Sequence, residues 1–504
     1  MLYLIPAWNR SDGYDSEETP SDSDRTEFDD TIKQMQLFQR NPFVTYCVML
    51  LSYAPGFRHF LHHQGVMRAP YWSVLDAICE IKAKRAGVFS YREINWPEHT
   101  EFVDVPTGIL AFRNGEKYAK VEFGTDGNTV CITMYEKGET VRKNEYDDRG
   151  FVAASVVYEK GKPVYRDFFM ENGSRKARLY FSDGRVSINP SYPNYRIHHG
   201  DTDQQIPFQK TEYSSINEVI CEVMESYLAQ TSSADIFCAA WSTGHASLLL
   251  PLLRGKKLII SMFGERYRPS ESEELKESVT TASRVVVDSA SKTELLTGRF
   301  PKMAHKIEYI SPYDTRRDYG ISMQISVQNV LLPVDGLSEK RLSEAIAVLG
   351  SYLPQNKKAR VCLMTRENDK WNRENLWEIV QEQAGPELEG YFYTEKCANE
   401  PELTQCLRLQ RLVVDLRETP DPFLQIVAVS MGIPQIASAK TAFLSNYENG
   451  RILRKLRDLP DCLSYYLDSL TNWNAAMVSS EEIVKQYSTE ELLKKWKGVL
   501  SSFE

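Results

Sequence analysis

The chain has 504 residues, 42% of them hydrophobic, which is too long for one core and ample for two or three. A formal net charge of −9 leaves no broad positive field, which argues against wholesale binding to nucleic acid or anionic lipid. Nine scattered cysteines without a Cys-x-x-Cys pair argue against a zinc or disulfide framework and fit buried, reduced thiols.

Residues 2–6 read as a buried strand. The apolar opening, residues 1–8, lacks the basic region and the length of a signal peptide. The most apolar window elsewhere, 43–54, falls well short of the roughly 20 residues that span a bilayer. A cytoplasmic protein without a transmembrane segment is expected. Between positions 11 and 30 nine carboxylates face one cation, Arg25, so this stretch reads as a solvated, self-repelling loop or as a contact for a basic partner. Its single glycine, Gly13, does not make a phosphate-cradling turn. Helices are predicted over 31–38, 43–52, 57–64 and 71–81. His59, His62 and His63 have the spacing of a helical metal site, but no further ligand motif completes the set, so they read as surface or interface residues. No metal and no cofactor are expected.

From 106 to 190 the chain keeps a rhythm. Asn114-Gly115, Asp126-Gly127, Lys137-Gly138, Arg149-Gly150, Lys160-Gly161, Asn172-Gly173 and Asp183-Gly184 place successive glycines alternately twelve and eleven residues apart. These pairs supply the positive φ of hairpin turns, and the runs between them are rich in β-branched and aromatic residues. An antiparallel meander of roughly eight strands follows. An aromatic residue precedes each glycine by three or four positions: Phe112, Phe123, Tyr135, Tyr146, Tyr158, Phe169 and Phe181. They read as cross-strand pairs that hold the sheet, or as a platform for a sugar or a peptide.

After an irregular connection over 192–208, short apolar strands alternate with amphipathic helices as far as 311, and a second such series starts near 328. This pattern means parallel, doubly wound sheets. The meander is then an insertion into the first of two tandem Rossmann-type domains, with strand one before it and the other strands after it. The expected domains are 1–105 with 205–325, the meander 106–204, and 326–475, followed by a helical segment 476–504 that returns to the first domain.

Two resemblances attach to particular residues. The run from Arg411-Leu-Val-Val-Asp-Leu-Arg-Glu to Gly432-Ile-Pro-Gln-Ile-Ala-Ser438, with Tyr447-Glu-Asn-Gly450 beyond it, resembles the donor-binding half of a GT-B glycosyltransferase. The segment from Leu332 to Lys340 is similar to that family's entry into its second domain. The resemblance implies a GT-B-like α/β fold and a donor cleft near Lys340, Glu418, Gly432 and Ser438. It also implies two glutamates eight positions apart, which fall here on Thr419 and Val427, with Glu418 one position off. A valine accepts no hydrogen bond from a ribose hydroxyl, and losing a charge-assisted bond of about 1.5 to 3 kcal/mol weakens a nucleotide by one to two orders of magnitude.

The whole chain resembles the first of the three Asp proteins of the bacterial accessory Sec system, through Tyr3-Leu-Ile-Pro-Ala-Trp8, Phe28-Asp-Asp-Thr-Ile-Lys-Gln34, Phe57-Arg-His-Phe-Leu-His62 and Tyr71-Trp-Ser-Val-Leu-Asp76. The inserted meander is similar to the sheet by which related glycosyltransferases hold a Ser/Thr-rich acceptor. This resemblance implies a non-catalytic component that assembles with two sister Asp proteins and helps a dedicated SecA motor export a serine-rich repeat glycoprotein adhesin. A glycan would be a further ligand. The alternative is an active transferase that modifies serine and threonine from a nucleotide sugar, with Lys340, Glu418 and the Gly264 to Arg268 loop in the missing roles. In that loop Arg266 and Arg268 would meet a phosphate or a partner's carboxylates, or be solvated. Ser242 and His245 lie on a strand-to-helix loop without the Gly-x-Ser-x-Gly elbow of a hydrolase.

Overall fold

The computed structural model describes residues 1–8, 29–40, 44–242, 244–264, 272–366 and 371–503. The acidic stretch up to position 28 lies outside the described residues, as do Arg266 and Arg268. The chain divides into two compact units, 1–286 with 305–307, and 287–304 with 308–504. Among the described residues no helix is long and apolar enough to cross a membrane.

The first unit is built on a sheet whose strands run, from one edge to the other, Ile307–Tyr309, Arg284–Val287, Lys257–Met262, Ile236–Ala240, Leu2–Ile5, Tyr46–Leu50 and Tyr71–Ser73. Numbered along the chain this order is 7-6-5-4-1-2-3, so the winding reverses between Leu2–Ile5 and Ile236–Ala240, which pair in parallel. Two segments differ from the prediction. Tyr46–Leu50 is a strand rather than part of a helix, and Tyr71–Ser73 is a strand that precedes the short helix Val74–Ile78. A continuous apolar run of this length does not distinguish a buried strand from a buried helix. Flanking parallel strands on both sides decide for the strand. Three strands therefore precede the insertion, not one.

The insertion is a ten-stranded sheet. Nine strands follow one another from Thr100–Val105 to Val186–Ile188, and Glu212–Tyr213 closes the far edge. The predicted irregular connection contains an antiparallel ribbon, Asn194–His199 with Thr202–Pro207, turning at Gly200 with φ +57°. The glycine spacing has a geometric cause. Asn114-Gly115, Lys137-Gly138 and Lys160-Gly161 have positive φ at both residues, which is the two-residue type I′ turn. At Gly127, Gly150 and Gly173 only the glycine is positive, and each donates to the carbonyl three residues back, Gly124, Asp147 and Met170. These longer turns alternate with the tight ones, so the two kinds lie at opposite ends of the sheet.

In the second unit six strands pair in parallel in the order Phe392–Lys396, Ala359–Thr365, Gln328–Pro333, Gln410–Asp415, Gln435–Ala437 and Gly450–Ile452. Along the chain this is 3-2-1-4-5-6, the doubly wound order with its switch point between Gln328–Pro333 and Gln410–Asp415. The core packs Leu332, Leu363 and Val414 against the helix Glu339–Tyr352 through Leu342 and Ile346. The chain ends in two helices, Leu470–Gln486 and Thr489–Ser501.

Candidate functional site

Open parallel sheets place ligands outside the carboxyl ends of their strands at the switch point. In the second unit those strand ends carry Asp335, Arg366, Asp415, Arg417 and Asp421, and the charges of these residues face one another. Arg417 is 9% exposed and donates from Nε and Nη2 to the two oxygens of Asp415, at 2.8 and 2.7 Å, while Asp415 is 1% exposed. Burial pulls the Arg417 pKa down; the bonds it donates to Asp415, with the charges of Asp415, Asp421 and Asp335, outweigh it and hold the guanidinium above its ordinary value. The Arg366 amide donates to Asp335 Oδ2 at 2.5 Å, and its guanidinium pairs with Asp421. Asp421 also caps the helix Pro422–Ser430, accepting from the Phe423 amide at 2.9 Å. The helix end that would otherwise attract a phosphate thus already holds a carboxylate. Three carboxylates face two guanidiniums here, an arrangement that leaves an excess negative charge and offers no spare cation to a diphosphate.

The residues named from the sequence sit around this cluster without forming a site of their own. Lys340 is exposed in the first turn of its helix, and Glu418 is exposed beside Arg417. Ser438 donates its amide to the Asp415 carbonyl at 3.0 Å and accepts from Arg341 Nη2 at 3.3 Å. Gly432 terminates the helix: its φ is +69°, its amide donates to Val429 O and the Ile433 amide to Ala428 O, and a Cβ would meet Met477 Cγ at 2.5 Å. That glycine is explained by the helix end and by Met477. Of the implied glutamate positions, Thr419 is exposed and Val427 lies within the helix. The pair Asp415 and Arg417 was missed by sequence reasoning, although its position directly after an apolar strand was the available signal.

The first unit repeats the pattern. The loop after Ile236–Ala240 leads into the helix His245–Leu252, and there the Gly244 and Ser247 amides donate to Glu274 Oε1 at 3.0 and 3.1 Å. His245 is 3% exposed, with Nδ1 at 3.1 Å from the Ala240 carbonyl. Ser242 accepts the Ala246 amide through its carbonyl at 3.1 Å. Ser242 and His245 are thus placed by the backbone as parts of a helix start.

The alternation of turns divides the seven meander aromatics into two rows. Phe112, Tyr135, Tyr158 and Phe181 lie by the turns at Gly115, Gly138, Gly161 and Gly184; Phe123, Tyr146 and Phe169 lie by those at Gly127, Gly150 and Gly173. The second row is at the end tied to residues 54–91. Tyr146 stacks on Phe89 at 4.6 Å, Phe123 meets Tyr91 at 5.9 Å, and all three turns of that end are bonded. Thr125 Oγ1 meets His59 Nε2 at 2.7 Å, Asp148 accepts the Arg58 amide at 2.8 Å, and Glu171 accepts the Ala83 amide at 2.6 Å. Of the three histidines, His59 is thereby an interface residue; burial lowers its pKa, with Asp126 opposing. Among the described residues no group of His, Cys, Asp or Glu is arranged to hold a metal ion. In the other row Tyr135 carries Lys117 Nζ 3.7 Å above its ring.

Three comparisons bear on this geometry. Residues 1–391 and 380–502 match the model of a family described as the first Asp protein of the accessory Sec system. A protein of the same description from Streptococcus gordonii is 30% identical, covering 98% of each chain. Among solved structures, the complex of accessory secretory proteins 1, 2 and 3 from Streptococcus pneumoniae contains a chain that superposes with a TM-score of 0.82 at 26% identity, covering 100% of this chain and 99% of that one. The pneumococcal O-GlcNAc transferase GtfA, solved with UDP and GlcNAc, superposes with a TM-score of 0.72 at 12% identity, covering 100% and 98%. The fold is that of the GT-B glycosyltransferases.

Proposed function

This chain belongs to the family of the first Asp protein of the accessory Sec system and so has a role in that system, and from that premise we propose that it is a non-catalytic scaffold that keeps the glycosyltransferase fold for its surfaces. The observation that carries the reading is the closed ion-pair cluster around Asp415 and Arg417, which occupies the strand ends where a donor nucleotide would lie. Glu274 at the helix end beside His245 supports it in the first unit. In this reading the protein assembles with two sister Asp proteins, as in the similar pneumococcal complex. It works beside a dedicated SecA motor and helps hold a serine-rich repeat glycoprotein for export, with the meander as its contact surface.

The test is a calorimetric titration with a panel of nucleotide sugars, joined to thermal melts. A donor present at 100 times its dissociation constant stabilises the fold by about 2.7 kcal/mol. The scaffold reading expects no heat and no shift across the panel. A 1:1 isotherm with a matching shift overturns it in favour of a transferase.

A further inference from the structure

The meander has one long edge that nothing in the described chain covers. Thr100–Val105 is the terminal strand of the ten-stranded sheet and pairs on one side only, with Gly108–Arg113. Glu101, Phe102, Val103 and Asp104 are all exposed, so neither face of the strand is buried. Phe102 is 41% and Val103 47% exposed. The ladder with Gly108–Arg113 keeps its register through all six pairs, whereas each of the next six ladders shifts once. Bulges and prolines are among the devices that keep a sheet edge from accepting another strand, and neither lies within this strand; its exposed charges, Glu101 and Asp104, repel acidic segments and leave the edge open to a cationic one.

Two further observations specify the occupant. Phe102 packs at 5.3 Å from both Tyr91 and Trp96, and Tyr91 meets Phe123 at 5.9 Å, so an aromatic floor lies beside the free backbone. Glu98, Glu101 and Asp104 are exposed along the edge, and among the described residues none has a cation within 4 Å. A second copy brought edge to edge would set these carboxylates against their own kind, which disfavours self-pairing.

We propose that Thr100–Val105 is a docking edge for an extended segment of a partner protein that carries Lys or Arg at every third position with apolar residues between, because Glu101 and Asp104 stand on opposite faces of the strand with Phe102 and Val103 between them. Such a segment adds as an eleventh strand through main-chain hydrogen bonds. Its cations meet Glu98, Glu101 and Asp104, and its apolar side chains meet Phe102 and Val103. This deepens the scaffold reading above and rests on it, because it names the chemistry of one contact.

The full-length protein is titrated by fluorescence anisotropy with two labelled ten-residue peptides, one repeating Lys-Val-Val and one repeating Glu-Val-Val. The same titration is run on the Glu101→Lys/Asp104→Lys variant, whose two substitutions fall on exposed positions. The lysine peptide binds the wild-type protein, and the charge-reversed variant binds it at least about tenfold more weakly; the glutamate peptide does not bind the wild type. Hydrogen exchange with the lysine peptide bound slows the amides of Thr100–Val105 and leaves those of Gln410–Asp415 unchanged. No binding, equal binding by the variant, or protection elsewhere than in this strand overturns the docking edge. A nucleotide sugar that binds while the peptide result holds would overturn the scaffold reading and leave the edge standing.

Discussion

Arg149 and Asp76, 73 positions apart, are joined by two parallel hydrogen bonds of 2.8 Å between the guanidinium and the carboxylate. The same guanidinium donates to both oxygens of Asp147, at 2.6 and 2.8 Å, and to the Ala83 carbonyl at 3.1 Å, so all five of its N–H groups are used. Burial would lower its pKa, and these carboxylates more than reverse that. One turn of the meander is thereby fastened to the helix Val74–Ile78 of the parallel domain.

Removing Arg149 takes the guanidinium from Asp76 and leaves the buried Asp147 with Arg58 alone. Arg149→Ala is expected to lower the unfolding free energy by about 3 to 5 kcal/mol, measured by urea denaturation. Arg149→Lys does not restore it, because an ammonium cannot reproduce the paired fork. A lysine variant as stable as the wild type would contradict this account.

The Asp415 and Arg417 pair makes a second case. Arg417→Ala strands a carboxylate that is 1% exposed, with an expected loss of about 3 to 5 kcal/mol. The double variant Asp415→Asn/Arg417→Leu removes both charges and recovers more than half of that loss. Chemical denaturation of the two variants side by side decides whether the cluster acts as a closed pair.

Gly432→Ala reports the role of that glycine. A φ of +69° costs a residue with a Cβ about 1 to 2 kcal/mol, and the approach to Met477 adds about 1 to 3 kcal/mol of overpacking. Pairing it with Met477→Ala relieves the second contribution and leaves the first. Melting curves for the single and double variants separate the two.

Lys137 and Lys160 hold φ of +51° in type I′ turns, a conformation that asparagine adopts more readily. Lys137→Asn is expected to stabilise the protein by up to about 1 kcal/mol, and Asn114→Lys to destabilise it by a similar amount. The shift in thermal midpoint reads both.

Burial pushes the thiols of Cys47, Cys79 and Cys131 up to about 12. A raised thiol pKa keeps the neutral form across the neutral range, so at pH 8 the reactive thiolate is scarce in the folded state and returns on unfolding. Alkylation by iodoacetamide followed by peptide mass spectrometry should run at least about 100-fold slower in the native protein than in urea. Native-state labelling of these three at the unfolded rate would refute it.

The meander was legible in the sequence because its determinants are local. A positive φ at a turn selects glycine or asparagine whatever lies around it, and even the twelve-eleven alternation encodes two turn types. The second parallel domain was legible for a similar reason: its strands and helices repeat at regular intervals, and a helix end requires Gly432. Tyr46–Leu50 was not legible, because a short apolar run takes its conformation from the strands that flank it. The fate of the strand ends was not legible either. Asp415 and Arg417 are adjacent enough in sequence to be noticed, and Asp421 stands in the same loop, yet Asp335 and Arg366 come from two other loops, and the fastening of Arg149 to Asp76 spans 73 positions. The sequence alone determined turns, periods and element types, which depend on neighbours along the chain. Whether charged groups face a ligand or one another was decided by the tertiary structure, because the energy of a buried charge depends on which distant group arrives beside it.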